Sequence, residues 1–515
     1  HKNVRRQAAA VPSESEAPPS AAAGALPGRC PSPWRHPETH AQPKLRGHLG
    51  ACPLQPIMRH AAPLLFLGLW PAASTAKGEW SLRMGRAPAA VQSGIPGMIR
   101  MPLRQGPPLM KSWQQRQGGA RAASAAPSFM QLASESHKAA EARAGPVANA
   151  PLVDIYGQIR VGTPPQEFSV AIDTGSSNLL LTSGTCRSAS CLAHRGYMAN
   201  QSSTARPVQL GDSGAALPKG DMPDAVSLAI STGDAEGDLY LDKVCLGAAG
   251  DVCADTAFVQ MTQMSQGPFD VLPFDGILGV GLPAGNLDQD RRFNFLGNIA
   301  EKGLLKRDSW AIWLASEGDE EPSEITFGDF DAKHVGSELL WVPVTREGAD
   351  SAGMWQVGLA DAAVAGAKLG LCGSDGCQAA FDTGTSAIGG PEAFIEGLLS
   401  ALAIEEDCSN YHSLPLLGFA IGAYTLNIER QDYVKRVGNP PRCLHQFLKI
   451  DIPPPKGPIV LLGTPFLRRY FTVYDRQTLK IGIALSNHKP RRGSPETLDQ
   501  QVERLMVHSS LNGMR

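Results

Sequence analysis

Two short stretches of this 515-residue chain carry a carboxylate at the end of an apolar run, with a small hydroxyl-bearing turn straight after it. EFSVAIDTGS ends on Asp173-Thr174-Gly175-Ser176, and CQAAFDTGT ends on Asp382-Thr383-Gly384-Thr385, 209 residues later. A lone carboxylate in water is ionised at neutral pH and is a weak base. Two carboxylates held face to face share a proton and titrate as a pair with separated apparent values. The ionised member takes a proton from water while the protonated member polarises a carbonyl. Such a pair suits hydrolysis of an amide without a covalent intermediate or a metal. Gly175 and Gly384 leave room for backbone N–H groups to reach the carboxylates. Ser176 and Thr385 place a hydroxyl three residues on, within reach of the outer oxygen. Thr174 and Thr383 are placed to bond across to the opposite loop and fix the pair.

One Asp-Thr-Gly is an ordinary turn. Two copies on apolar runs, each followed by a second apolar run ending in glycine, specify an internal duplication. Those second runs are DGILGVG (Asp275–Gly281) and IVLLGTPF (Ile459–Phe466), where glycine lets one backbone pass close beside another. The elements that must hold these loops are strands. From Leu152 onward, short strand-like runs alternate with Gly, Pro, Asp and Ser turns, and helical stretches are few. Ile155–Gly162, TPPQ and Glu167–Gly175 read as a hairpin leading into a buried strand.

The formal charge is -2, which argues against a basic nucleic-acid binder. No apolar run reaches the ~18 residues of a membrane span. Residues 1–57 are rich in Ala, Pro, Gly, Ser and Arg without hydrophobic period, and read as a disordered or non-native extension. Met58-Arg59-His60, an apolar stretch over Ala61–Trp70 and the small residues Ser74 and Ala76 read as a signal peptide over 58–76. Residues 77–150 carry a charge of +7 and residues 151–515 carry -14. A basic propeptide before an acidic body is therefore expected, as an intramolecular electrostatic partner. The body divides into 151–325 and 326–486, with a polar tail at 487–515. The tail is read as disordered, with a short amphipathic helix over Glu496–Val507 as the other reading.

The body resembles the pepsin family of aspartic proteases over about residues 152–486. The matching motifs are AIDTGSSN, DGILGVG, FGDFD with LLWVPV, AAFDTGTS and LLGTPFLRRYFTVYDRQTLKIGIA. The resemblance implies an all-β, bilobal fold of two related barrel-like lobes with a cleft between them. It implies an aspartic endopeptidase acting on extended polypeptides at acidic pH, with Asp173 as base and Asp382 as acid. MIRMPLRQ (Met98–Gln105), followed by Lys111-Ser112, is similar to the prosegment of that family, which covers the cleft in a zymogen and is released by acid. The activation junction is expected between about Arg143 and Leu152. The family's flap, a Tyr-Gly-Thr-Gly run, matches Ile230-Ser231-Thr232-Gly233. Ile230 thus replaces the flap tyrosine, and Leu180 replaces its tryptophan partner. This predicts a more apolar cleft wall and a preference for apolar side chains near the cut. Thr464 stands where such enzymes often have Asp, which predicts an altered pH profile.

Of ten cysteines, Cys30 and Cys52 precede the leader. Eight remain, an even number that fits an oxidising compartment but allows many connectivities. The resemblance implies Cys186–Cys191, Cys372–Cys377 and Cys408–Cys443, leaving Cys245 and Cys253 as an extra pair. Cys186, Cys191 and His194 also have the look of zinc ligands, but only three gather locally and a disulfide loop fits better. Gly279-x-Gly281-x-x-Ala284 is a poor dinucleotide fingerprint, with Pro283 inside it and no βαβ unit after it. No cofactor or metal is expected. Asn200-Gln201-Ser202 is a glycosylation sequon. The chain is expected in the secretory pathway, outside the cell or in an acidic vacuole or lysosome-like compartment, as a monomer with no membrane span and no nucleic-acid partner. The rival reading is a pepsin-like protein that binds peptides or inhibitors without turnover. The intact Asp173, Ser176, Asp382 and Thr385 argue against it.

Overall fold

In a computed structural model of the chain, the described residues are 98–105, 155–211, 217–230, 233–246, 252–316, 318–346, 348–454, 456–489 and 496–509. The 1–57 extension, the 58–76 leader, the remainder of 77–150 and the flap-tip residues Ser231 and Thr232 lie outside them.

Among the described residues the structure is built mainly from strands, in three principal sheets and a two-stranded ribbon. The first nine-stranded sheet forms the N-terminal lobe. It runs in the order Arg104–Gln105, Ile155–Val161, Gln166–Asp173, Gly276–Gly279, Leu179–Thr182, Val252–Met264, Gly233–Leu246 and Arg206–Pro207, with Ala225–Ile230 hairpinned onto Gly233–Leu246. Burial along Ile155–Val161 alternates residue by residue, the period expected of a strand with one face in the core. Gln166–Asp173 becomes wholly buried over its last four residues. Its apolar run therefore carries Asp173 into the interior.

The second nine-stranded sheet forms the C-terminal lobe. Its order is Phe447–Lys449, Ile388–Gly390, Val460–Leu462, Cys377–Phe381, Gln356–Val364, Leu417–Ile421, Tyr424–Ile428 and Met506–His508, with Ala367–Lys368 on Gln356–Val364. The duplication read from the motifs is a duplication of topology. The Asp173 strand pairs in parallel with Gly276–Gly279, Asp173 opposite Gly279. The strand leading to Asp382 pairs in parallel with Val460–Leu462, Phe381 opposite Leu462. In each lobe a third strand, Leu179–Thr182 or Ile388–Gly390, runs antiparallel to that partner. A side chain at Gly463 would lie 2.1 Å from the carbonyl oxygens of Thr385 and Ala387, so the apolar-Gly run ends where two backbones meet.

A six-stranded sheet takes strands from both halves: Ile99–Pro102, Glu324–Phe327, Ser309–Trp313, Tyr470–Asp475, Lys480–Leu485 and Leu340–Pro343. One hydrophobic core extends from Ile99 to Met506 through all three sheets. The longest described helix, Glu392–Leu402, buries Phe394, Ile395, Leu398 and Leu402 on one stripe. Among the described residues no helix is long and apolar enough to cross a membrane.

The tail departs from the disordered reading. Thr497 and Gln500 form a capping box at the start of a helix over Leu498–Leu505. Met506–His508 then adds an edge strand against Tyr424–Leu426. Leu505 is fully buried, and Arg504 pairs with Glu496 and Glu429. A single buried leucine and one ion-pair cluster are too sparse a pattern to announce docking from the sequence.

Candidate active site

Asp173 and Asp382 are both fully buried, each at the mouth of a loop that closes on its own carboxylate. In the first loop Gly175 N–H donates to Asp173 Oδ1 at 2.9 Å and Ser176 Oγ–H donates to Oδ2 at 2.5 Å. In the second, Gly384 N–H donates to Asp382 Oδ1 at 2.8 Å and Thr385 Oγ–H donates to Oδ2 at 2.7 Å. The two loops are near copies in chemistry as well as sequence. They also face each other closely, since a side chain at Gly384 would lie 2.5 Å from Asp173 Oδ1. Only glycine admits that approach.

The threonines lock the loops together. Thr174 Oγ1–H donates to Phe381 O at 2.7 Å and Thr383 Oγ1–H donates to Ile172 O at 2.6 Å. In return each hydroxyl accepts the other residue's N–H, at 3.1 and 2.9 Å. The glycine-ended strands back each loop in the same way. Gly281 N–H donates to Ser176 O and Thr464 N–H donates to Thr385 O, at 2.7 and 2.9 Å. Val280 N–H reaches Asp173 O at 2.8 Å, and Asp382 N–H reaches Leu462 O at 3.1 Å.

Burial pushes both carboxyls above the ordinary aspartate range, and the charge of Asp173 pushes Asp382 further in the same direction. The hydroxyl and amide donors of each loop oppose this, because they favour the charged form. Two carboxylates, one low-dielectric site and a ring of donors aimed at the anionic form favour a pair that holds a single negative charge.

The profile of the eukaryotic aspartyl protease family matches residues 154–486. The chain belongs to that family. Among its relatives, cathepsin E of Aquarana catesbeiana is 30% identical over 411 residues, 76% of this chain and 95% of that protein. Pepsin A of Bos taurus is 32% identical over 348 residues, 66% of this chain and 86% of its own length. Renin of Rattus norvegicus is 31% identical over 345 residues, 64% and 79%. The protein is an aspartic endopeptidase, a hydrolase of peptide bonds, with the bilobal all-β fold of pepsin-like enzymes.

In this aspartic endopeptidase the stretch expected to form the flap lies at the turn of the hairpin of Ala225–Ile230 and Gly233–Leu246, with Ile230 opposite Gly233. Ser231 and Thr232 at its tip lie outside the described residues. Ile230 and Leu180 are both 0% exposed and belong to the main core. In this structure both side chains pack inward, into the N-terminal lobe. Apolar residues in place of a hydrogen-bonding pair gain most by packing inward.

The structure contains the disulfides Cys186–Cys191, Cys245–Cys253, Cys372–Cys377 and Cys408–Cys443. The first removes two of the three zinc-ligand candidates, and His194 Nε2 lies 2.8 Å from Phe269 O. Gly279 and Gly281 serve the Asp173 loop rather than a phosphate. Asn200 is exposed on a 3-10 turn, while Ser202 of the same sequon is buried and its Oγ accepts the Thr163 N–H.

Sequence reasoning missed two neighbours of the dyad. Lys456 is half-buried, and its charge acts on both Asp173 and Asp382, lowering each. Its carbonyl accepts from Gln356 Nε2 at 3.3 Å, and Gln356 pairs with Ala380, two residues before Asp382. Trp355 Nε1–H donates to Val280 O at 3.0 Å, behind the Asp173 loop. It packs edge-on against Trp310 and Tyr474, which stack at 3.9 Å. The one signal available for Lys456 was its place in PPPKGPIV, four residues before Val460.

Proposed function

We propose that Asp173 and Asp382 form the catalytic dyad and cleave extended polypeptides by activating a water molecule between them. The observation that carries this reading is the matched pair of carboxylates, each held by a glycine N–H and a hydroxyl and tied to the other by Thr174 and Thr383. Asp173 takes a proton from the water as its oxygen adds to the scissile carbonyl carbon. Protonated Asp382 donates a hydrogen bond to the carbonyl oxygen. The raised state of Asp382 beside the Asp173 charge supports this division of roles. The tetrahedral species then collapses as the amide nitrogen takes a proton from the dyad and the C–N bond breaks. The oxygen and both protons of water end up in the two products, and the dyad returns to one shared proton. The test is peptide hydrolysis across an acidic to neutral pH series, with the inhibitor pepstatin, for the wild type, Asp173→Asn and Asp382→Asn. Cleavage by either variant at the wild-type rate refutes the assignment.

The enzyme is read as a zymogen active in acid. The charges of +7 over 77–150 and -14 over 151–515 support this, as does the pairing of Met98–Gln105 with strands of the body. The leader at 58–76 and four disulfides support a secretory-pathway destination, extracellular or an acidic vacuole, and a monomer is proposed. Binding without turnover is the weaker reading, because both carboxylates keep every donor that tunes them.

A further inference from the structure

We infer that Met98–Gln105 is a resident strand of the active enzyme, and that after the chain is cut between Gln105 and Ile155 the fragment carrying it stays bound to the body. The inference rests on the zymogen reading and concerns what happens to the prosegment afterwards.

The segment is woven into two sheets at once. Ile99, Arg100, Met101 and Pro102 pair with Phe327, Thr326, Ile325 and Glu324 at the edge of the six-stranded sheet. Leu103 N–H donates to Ser323 O at 2.7 Å. Arg104 and Gln105 then pair with Tyr156 and Ile155 in the N-terminal lobe. Met98, Ile99, Met101 and Leu103 are between 1% and 7% exposed, as deep as the core around them. The body is shaped to receive them. A side chain at Gly157 would lie 2.2 Å from Met101 Sδ and 3.3 Å from Leu103 Cδ2. Removing the strand would leave a void where Gly157 supplies nothing to fill it.

The closer of the two Arg100 pairs is held to lower pH than an ordinary aspartate would allow. Arg100 Nη2 lies 2.6 Å from Asp331 Oδ2, and Nη1 lies 3.8 Å from Glu324. Burial raises the Asp331 carboxyl, but the Lys333 N–H and the Arg100 charge outweigh it and hold the group below its usual range. Glu324 is pushed up by burial. Glu321, Lys333 and His334 complete the cluster, with Glu321 between Lys333 and His334. As pH falls Glu324 is neutralised before Asp331, so the Arg100–Asp331 pair outlasts the Arg100–Glu324 one.

The chain offers no good substitute. The residues leading into Ile155, AGPVANAPLVD, supply only Val147, Leu152 and Val153 as larger apolar side chains. Three such residues, two of them valines, do not match the four of Met98, Ile99, Met101 and Leu103. Nor does retention obstruct the dyad. Ile99–Pro102 edges the sheet that carries neither Asp173 nor Asp382, and Arg104–Gln105 lies at the edge of the N-terminal lobe sheet, with Ile155–Val161 between it and the Asp173 strand.

The experiment is to mature the full chain in mild acid, isolate the active species by gel filtration at the same pH, and compare its native and denatured masses. Two polypeptides that separate only on denaturation, one containing Met98–Gln105, are the expected result. An active species lacking those residues overturns the inference. An active uncut chain overturns the zymogen reading while leaving the strand resident, so the two failures are distinct. Arg100→Ala, a change at the partly exposed anchor, is expected to release the fragment at least tenfold faster. Adding a synthetic peptide spanning residues 98–105 is expected to restore the lost thermal stability. Release no faster than wild type, or no rescue by the peptide, counts against the inference.

Discussion

Thr174 and Thr383 each donate a hydroxyl across the lobe boundary and accept the other's backbone N–H, in a closed exchange with no solvent exposure. Thr174→Val or Thr383→Val keeps the shape and removes the donor, leaving a buried carbonyl and an N–H unpaired. Each change is expected to cost about 1–3 kcal/mol. The double variant should cost less than the sum, because the two share one network. Urea unfolding of the four proteins checks this. The kinetic loss should fall on kcat more than on KM, since the exchange orients the dyad rather than the substrate.

On the proposed dyad, the groups that favour the ionised carboxyls set the acid limb of activity. Ser176 favours ionised Asp173, and Lys456 favours ionisation of both members. Ser176→Ala removes a hydroxyl and Lys456→Met a positive charge that favour the ionised carboxyls, so each should move the acid limb of kcat/KM to higher pH. A pH profile checks the direction. An acid limb displaced downward in either variant would show that the hydroxyl or the lysine charge does not stabilise the anion.

Stability has its own pH dependence. Asp382 titrates higher when folded than when unfolded, because burial and the Asp173 charge penalise its anion. Its contribution is complete below the unfolded value of about 4 and is lost as pH rises through the folded value. The Tm of mature enzyme should therefore fall from mild acid toward neutrality. Asp382→Asn, which cannot ionise, should flatten that slope in a calorimetric series.

Thr464 is 1% exposed, and its Oγ1 has no hydrogen-bond partner among the described residues. Its backbone N–H, which supports the Thr385 loop, is untouched by a side-chain change. Thr464→Val should leave activity intact and stability equal to or up to about 1 kcal/mol above wild type, because it removes an unsatisfied polar atom. A loss of more than about 1 kcal/mol in denaturant titration would mean that the hydroxyl is engaged.

The pairing of Asp173 and Asp382 was legible because their support is local: the carboxylate, the glycine and the hydroxyl lie within four residues, twice. The parallel pairing of Gly276–Gly279 and Val460–Leu462 with those strands was foreshadowed by repetition, since a duplicated order implies a duplicated contact. Lys456 was not legible, because its charge reaches the dyad through a loop anchored by Gln356, and no spacing in the sequence encodes that approach. The inward packing of Ile230 and Leu180 was missed for a related reason. Replacing a polar pair by apolar residues reveals chemistry, whereas the side on which they bury depends on the sheet around them. The six-stranded sheet was hidden as well, since its neighbours Ile99–Pro102 and Glu324–Phe327 are more than two hundred residues apart.

That sheet also dictates when the enzyme is finished during synthesis. Its strands come from residues 99 to 485, and Ser309–Trp313 finds its neighbour only at Tyr470–Asp475. The N-terminal lobe sheet is fully translated by Gly279 and can form while the ribosome is still working. The platform joining the lobes must wait until Leu485 has left the exit tunnel, and the edge of the C-terminal lobe waits for Met506–His508. A ribosome that stalls before Tyr470 leaves the first lobe sheet with all its strands and the platform without its central neighbour, so synthesis itself withholds the complete protease until Met506–His508 is made.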